Sequence, residues 1–340
     1  MSVPRVSLAP GYAISRLLKG GWQLAGGHGV VDPEAAWRDM DAFVEAGITT
    51  FDCADIYSGV ESLLGGYLRR TTHDVQVHTK CVPDLDRLTT LTPADLRRTV
   101  ERSRERLGVD VLDLVQFHWW DLTVGDPIAA LRALGALRDE GLVRHIGLTN
   151  FASAPLRAIL DAGIGVVSHQ VQYSLLDRRP ARAVAPLCAE HGIGLLCYGA
   201  LAGGFMHERW LGAPDPTLPL ENRSLVKYRL IIEECGGWAA FQALLAVLAD
   251  VAAAHGTGIG AVAIRWVLDQ PGVAGVIVGA RHAGHLQDSL AALHLVLDDG
   301  QRQRVADALA QLRHPPGDVY ELERDREGPH GRIMRYNLNG

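Results

Sequence analysis

The sequence has no excess of basic residues. Over 340 residues, 33 Lys and Arg stand against 39 Asp and Glu, a formal charge of −6, which argues against a globally basic nucleic-acid-binding surface. Cysteine is scarce: Cys53, Cys81, Cys188, Cys197 and Cys235 have no zinc-like close spacing. An odd number cannot pair completely within one chain, so a reducing compartment is the simpler expectation and no metal site is expected. The first twenty-odd residues lack an apolar core followed by a small-residue cleavage site, and no stretch of about 20 residues is uniformly apolar. A cytoplasmic protein with neither a membrane nor a nucleic-acid partner is expected. HExxH, GxSxG and a convincing Cys-His pair are also missing, as is a carboxylate pair with assignable roles, which disfavours a lyase or hydrolase.

What is present is a periodic chain, 48% hydrophobic and 21% charged, without an internal sequence repeat. Short apolar runs at residues 15–19, 49–51, 75–79, 112–117, 143–148, 165–169, 193–197 and 273–278 read as eight strands. Amphipathic segments at 33–45, 93–107, 128–140, 154–161, 179–191, 238–255 and 259–270 read as helices between them, several ending at glycine. Alternating strands and helices imply crossovers and a parallel sheet. Eight units fit a closed α/β TIM (β/α)8 barrel better than a six-strand open sheet, and no glycine fingerprint follows the first strand. The whole chain, 1–340, reads as a single domain. Within it, a Pro-rich excursion at 207–238 follows strand seven, and a C-terminal extension at 315–340 is placed over the barrel mouth, in a subunit contact or on the surface.

The strand ends supply Asp52, Lys80 and His118, with Tyr57 five residues beyond Asp52. In a barrel of this kind such positions converge on the C-terminal face. Singly, each has an ordinary reading: Tyr57 as a packing residue, Lys80 as a surface cation, Asp52 as a turn cap, His118 as a structural histidine. Together they describe a chemistry. A carbonyl receiving hydride becomes an alkoxide and needs a proton donor at its oxygen. Tyrosine is a weak acid whose phenolate a nearby ammonium favours. Lys80 supplies that cation, Asp52 keeps it charged and directed, and His118 holds the carbonyl oxygen or assists proton transfer, with Tyr57 as the acid.

GGWQ, FDCADIY, VHTK, QFHWW, IGLTNF, SHQVQYSLLDR, LLCYGALAGG and VIVGAR occur in one order, and through them the chain resembles the aldo-keto reductases over about residues 14–312. The resemblance implies reversible NAD(P)H-dependent reduction of an aldehyde or ketone to the alcohol, a sugar or small aromatic carbonyl among the substrate classes. It carries the catalytic tetrad onto Asp52, Tyr57, Lys80 and His118. It also implies that Thr149, Asn150 and Gln170 hold the nicotinamide carboxamide, that Tyr198 stacks on the ring, and that Asp52 and the backbone of Gly21 and Trp22 lie beside it. Gly199, Ala200, Leu201 and Gly203 fall on the pyrophosphate path, and Gly279, Ala280 and Arg281 on the adenosine side.

The late motif departs from the family pattern. Val278 stands where proline is usual, Asp288-Ser289 replaces a glutamate-asparagine pair, and His285 occupies the position that is often basic. Arg281 remains suited to a ribose phosphate, so NADP(H) is expected with NAD(H) as a compatible cofactor. Trp22, Trp119, Trp120 and the excursion near Trp210 are candidates for an aromatic pocket, and Trp22, Tyr57, His118 and Trp119 are taken as substrate neighbours. A monomer is the default for such a barrel. The competing functional reading is a noncatalytic nicotinamide-binding subunit, regulatory or channel-associated, which an intact tetrad does not exclude.

Overall fold

Short runs rich in Val, Leu and Ile, apolar at successive positions, are what a parallel strand covered on both faces requires. In the computed structural model, which describes residues 3–25, 29–216, 219–279 and 282–339, eight such runs close into a barrel. Two strands precede it, β1 (Arg5–Ala9) and β2 (Tyr12–Ser15). The barrel strands are β3 (Leu17–Gly20), β4 (Thr50–Asp52), β5 (Gln76–Cys81), β6 (Leu112–Phe117), β7 (Val143–Thr149), β8 (Ser168–Gln172), β9 (Gly194–Tyr198) and β10 (Val273–Gly279). Each pairs in parallel with its neighbour in sequence, and β10 closes on β3. The architecture is the expected TIM (β/α)8 barrel.

Helices α1 (Pro33–Glu45), α2 (Val60–Leu68), α3 (Pro93–Leu107), α4 (Pro127–Asp139), α5 (Ser153–Asp161) and α6 (Val184–Glu190) begin the outer layer. Asp32 caps α1 ahead of Pro33, and Thr92 and Asp95 form a reciprocal capping box on α3. The apolar pattern alone missed α2, because Gly65 and Gly66 interrupt it and lower helix propensity. Their role is packing. A Cβ on Gly65 would lie 2.1 Å from the Arg106 carbonyl oxygen and one on Gly66 would lie 2.5 Å from the Trp37 ring, so bare backbone lets α2 nestle between α1 and α3.

Two expected boundaries move. The strand placed at 165–169 is β8, three residues later, since apolar residues mark burial while pairing starts where Ser168 meets Gly147 on β7. The run at 15–19 bends at Arg16 and divides between β2 and β3. With β1, β2 makes an antiparallel hairpin across the N-terminal ends of the barrel. Arg5 donates to the Thr49 hydroxyl at 2.6 Å and to Gln76 Oε1 at 3.0 Å, and Leu8 fills the space opposite Gly194.

The excursion after β9 is ordered. Asn222 caps α7 (Arg223–Glu234), which is followed by α8 (Gly237–Ala254), α9 (Ile259–Leu268), α10 (Leu286–His294) and α11 (Asp299–Ala310). Trp210, expected among pocket residues, is turned instead into a local core with Phe205, Trp238 and Phe241, its indole nitrogen donating to the Gly204 carbonyl at 2.9 Å. Trp238 ties the excursion down by donating to the Ala213 carbonyl. Among the described residues α8 alone is long and apolar enough to cross a membrane; here its Phe241, Leu244, Leu245, Leu248 and Val251 are buried against Ile231 and Ile232 of α7, Ile259 and Val262 of α9, and Val305 and Leu309 of α11.

The tail crosses the C-terminal face of the barrel. The Asp318 carboxylate accepts from the backbone and hydroxyl of Ser153 at 2.8 and 2.6 Å. Two single-turn helices follow, α12 (Glu321–Arg324) and α13 (Pro329–Arg332), before Leu338 and Asn339 donate to the Asp84 carboxylate.

Candidate active site

Side chains two apart on a strand share a face, so the ends of β4, β5 and β6 aim Asp52, Lys80, Gln116 and His118 into the barrel mouth. Lys80 Nζ donates to Asp52 Oδ2 and to the Cys53 carbonyl, both at 2.8 Å, and lies 5.2 Å from the centre of the Tyr57 ring. Trp22 meets the Tyr57 ring edge-on at 5.1 Å. Gly21 donates its backbone N–H to the Asp52 carbonyl at 2.7 Å. A Cβ there would sit 2.9 Å from that oxygen and 2.9 Å from Val60, so glycine is what brings the Trp22 segment against the Asp52 backbone.

Burial alone would strip Lys80 of its proton, but the Asp52 carboxylate and its hydrogen bond outweigh desolvation and hold the ammonium above its ordinary range. The Tyr57 phenol goes the other way. Burial pushes it up, and the Lys80 charge offsets this only in part, so the hydroxyl keeps its proton. The pair is therefore a charged lysine beside a neutral phenol.

His118 Nδ1 lies 3.2 Å from the Thr149 carbonyl oxygen. A carbonyl only accepts, so Nδ1 carries the hydrogen and Nε2 keeps a lone pair, buried and without a partner among the described residues. Burial, then the nearby Arg324 charge, push the imidazole down to about 3, so it stays neutral through the physiological range. In this tautomer His118 accepts a hydrogen bond at Nε2, which suits assistance in proton transfer and not donation to a carbonyl oxygen.

The residues expected around a nicotinamide lie at the ends of β7, β8 and β9. Thr149 Oγ1 is buried with no partner among the described residues, Asn150 has a left-handed backbone with φ of 63°, and its side-chain oxygen accepts from the Tyr198 hydroxyl at 2.9 Å. Gln170 is more committed than the sequence suggests, its amide nitrogen donating to Asp52 Oδ1 at 2.6 Å and to Gln116 Oε1 at 3.0 Å. Gly199, Ala200, Leu201 and Gly203 form a tight turn, and a Cβ on Gly199 or Gly203 would strike the Tyr228 ring of α7. Gly279 ends β10 against Gln23. His285 and Asp288 are exposed and 3.9 Å apart. Ala280 and Arg281 lie outside the described residues.

Trp119 and Trp120 lie on different sides of the strand end. Trp119 is 1% exposed, packs on Phe117 and donates to the Val124 carbonyl at 2.9 Å. Trp120 is the ring that meets His118, edge-on at 4.4 Å, because 118 and 120 share one parity while 117 and 119 share the other. The sequence reading also missed Gln116, which donates to Asp52 Oδ1 at 2.9 Å. That residue stands two before His118, and the alternation rule could have found it. The remaining omissions come from the excursion and tail. Tyr320 packs on His118 at 5.5 Å, Tyr336 packs on Trp120 at 5.2 Å, and Lys227 places its ammonium 5.1 Å from the Tyr198 ring centre and 3.7 Å from Glu323. Glu323 in turn reaches Arg179, which is held two-pronged by Asp177.

A family model described as "Aldo/keto reductase family" matches residues 16–310. Flagellar radial spoke protein 5 of Chlamydomonas reinhardtii is 32% identical over 257 residues, 64% of this chain and 49% of its own, so the chain spans about half the length of that relative. The NADH-specific methylglyoxal reductase of Escherichia coli is 26% identical over 317 residues, covering 84% of this chain and 92% of its own. The structure of a glycerol dehydrogenase from Gluconobacter oxydans superposes with a TM-score of 0.76 at 26% identity, over 93% of this chain and 96% of that one.

Proposed function

The chain belongs to the aldo/keto reductase family, and from that premise we propose that it reduces an aldehyde or ketone reversibly with a nicotinamide dinucleotide, Tyr57 delivering the proton. The observation that carries the proposal is the Asp52–Lys80 pair at 2.8 Å beneath a half-buried, protonated Tyr57. A neutral phenol is the acid that reduction needs, and the fixed ammonium stabilises the phenolate left when the proton departs. In the oxidative direction the same phenolate takes the proton of the alcohol.

Three further groups support the reading. Thr149 Oγ1, buried without a partner among the described residues, together with Asn150 and Gln170, suits a carboxamide, which both donates and accepts. When bound there, the nicotinamide supplies or receives the hydride. The His118 Nε2 lone pair accepts the hydroxyl hydrogen of the bound alcohol and orients that hydroxyl before the proton passes to the Tyr57 phenolate. Gln116 and Gln170 hold Asp52 Oδ1 so that Oδ2 stays on Lys80.

NADP(H) is the first expectation, through Arg281. Asp288 beside His285 at the adenosine end, together with a relative named as NADH-specific, favours NAD(H) as the second. Absorbance at 340 nm with each nucleotide, across aldehydes, ketones and aldoses, tests both points. Tyr57→Phe is expected to lower carbonyl-dependent consumption by about 10²–10⁴-fold while nucleotide binding persists. If neither nucleotide is consumed while wild type and variant both bind it, the protein is a nicotinamide-binding subunit and not a reductase.

A further inference from the structure

The tail and the excursion bring several charged groups out of water beside the candidate site. Asp177 and Glu323 carry two negative charges there, and Arg179 and Lys227 carry two positive ones. The four are joined by contacts of 2.7, 3.3 and 3.7 Å. Arg324 stands outside this balance. Its Nη2 donates to the Trp119 carbonyl at 3.0 Å, but Nε and Nη1 are buried and meet no acceptor among the described residues. The acidic side chains around it are engaged elsewhere: Glu323 is held by Arg179 and Lys227, Glu321 accepts from the Asp318 backbone, and Asp121 accepts from Thr123.

The position of this guanidinium matters as much as its lack of a partner. It lies 5.3 Å from the centre of the Tyr320 ring, and Tyr320 packs on His118. Its anchor, the Trp119 carbonyl, belongs to the residue that follows His118. A buried charge with free donors is unfavourable unless an anion completes it, and a guanidinium's fork of N–H groups matches a carboxylate or phosphate.

Resting on the reductase reading above, we infer that Arg324 is a specificity-determining residue that receives an anionic group of the substrate, so that the preferred substrates are aldehydes or ketones bearing a carboxylate or a phosphate. The carbonyl is presented to Tyr57, and the anion lies toward the tail, on the Tyr320 side of His118.

The test compares matched aldehydes: 4-carboxybenzaldehyde against its neutral amide, 4-formylbenzamide, and glyceraldehyde 3-phosphate against glyceraldehyde. Wild type is expected to prefer the anionic member by about 10–100-fold in kcat/KM, the range of a charge-assisted hydrogen-bonded contact. In Arg324→Gln that ratio falls to within about twofold of unity, mainly through KM, and Arg324→Lys retains part of it. The pair with the larger ratio identifies the anion as carboxylate or phosphate.

Reduction of the neutral aldehydes with a ratio that Arg324→Gln leaves intact overturns the inference and spares the reductase reading. So does an equal loss for both members of a pair, the mark of a merely structural arginine. Binding of 4-(hydroxymethyl)benzoate by calorimetry gives a readout without turnover. At least tenfold weaker binding to Arg324→Gln is expected, and equal binding overturns the inference. Absence of turnover of any aldehyde would be the failure of the reductase reading alone.

Discussion

At the N-terminal end of the barrel the hairpin covers buried polar side chains and pairs some of them. The Tyr12 hydroxyl meets His78 Nε2 at 2.9 Å, the Tyr12 ring packs on His145 at 4.5 Å, and burial holds His78 neutral down to about 3. At the C-terminal end the tail also covers a buried neutral histidine, His118, but leaves Nε2 without a partner and adds charged groups around it. Both covers exclude water from a histidine in the same barrel. The lower one engages His78 Nε2 with a tyrosine and, among the described residues, leaves Nδ1 buried without a partner and has no charged side chain in contact with the ring. The upper one leaves donors and acceptors free, as a site that will bind something requires.

Trp119 and Trp120 mark the boundary of the upper end. Trp119→Ala is expected to lower stability by about 3–5 kcal/mol in a urea titration, since a fully buried indole is lost. Trp120→Ala is expected to act on the KM for carbonyls instead. If the two variants swap phenotypes, Trp119 faces the substrate after all.

The attachment of the upper cover is next. Glu323→Ala leaves Lys227 and one side of Arg179 unpaired, which is expected to cost about 3 kcal/mol. Hydrogen exchange should quicken across residues 317–339 and stay unchanged in the hairpin. Uniform quickening would show that the tail is not a separately opening cover.

At the lower end, Tyr12→Phe removes the partner of His78 Nε2 and should cost about 1–3 kcal/mol while leaving kcat and KM for carbonyls unaltered. A change in turnover would couple the two ends and break the distinction between them.

The smallest effect is shared by both ends. Burial holds His78, His118 and His169 at about 3, so wherever the pH lies below roughly 6.5, unfolding takes up protons and stability falls as pH drops. Asp55, raised to about 8, and Asp113, also raised by burial, act in the opposite sense above roughly pH 4. Burial lowers His145 and His314 as well, and five histidines against two carboxyls predict a Tm at pH 5 a few degrees below that at pH 7. A higher Tm at pH 5 would mean that the carboxyls dominate.

The barrel was legible because its information is local. Each strand is a short apolar run, and each helix start a cap such as Asp32 before Pro33 or Thr92 with Asp95. The exceptions follow one pattern. Gly65 and Gly66 conceal α2 because their use is the approach of neighbouring helices. The 15–19 run conceals a bend, because hydrophobicity reports burial and not pairing partner. Asp52, Tyr57, Lys80 and His118 were named from strand ends and motifs, and the fold brings them to one mouth.

By itself, then, the sequence determined the order of strands and helices and the chemical identity of the groups at the strand ends, since both rest on neighbours a few residues apart. Only the tertiary structure decided which tryptophan meets His118, what fixes Asp52 and what closes the mouth. Arg324 bonds to a carbonyl 205 residues away and Glu323 to an arginine 144 residues away. Contacts of that span are set by the closure of the barrel and the path of the tail, which leave no periodicity in the chain for a sequence reading to detect.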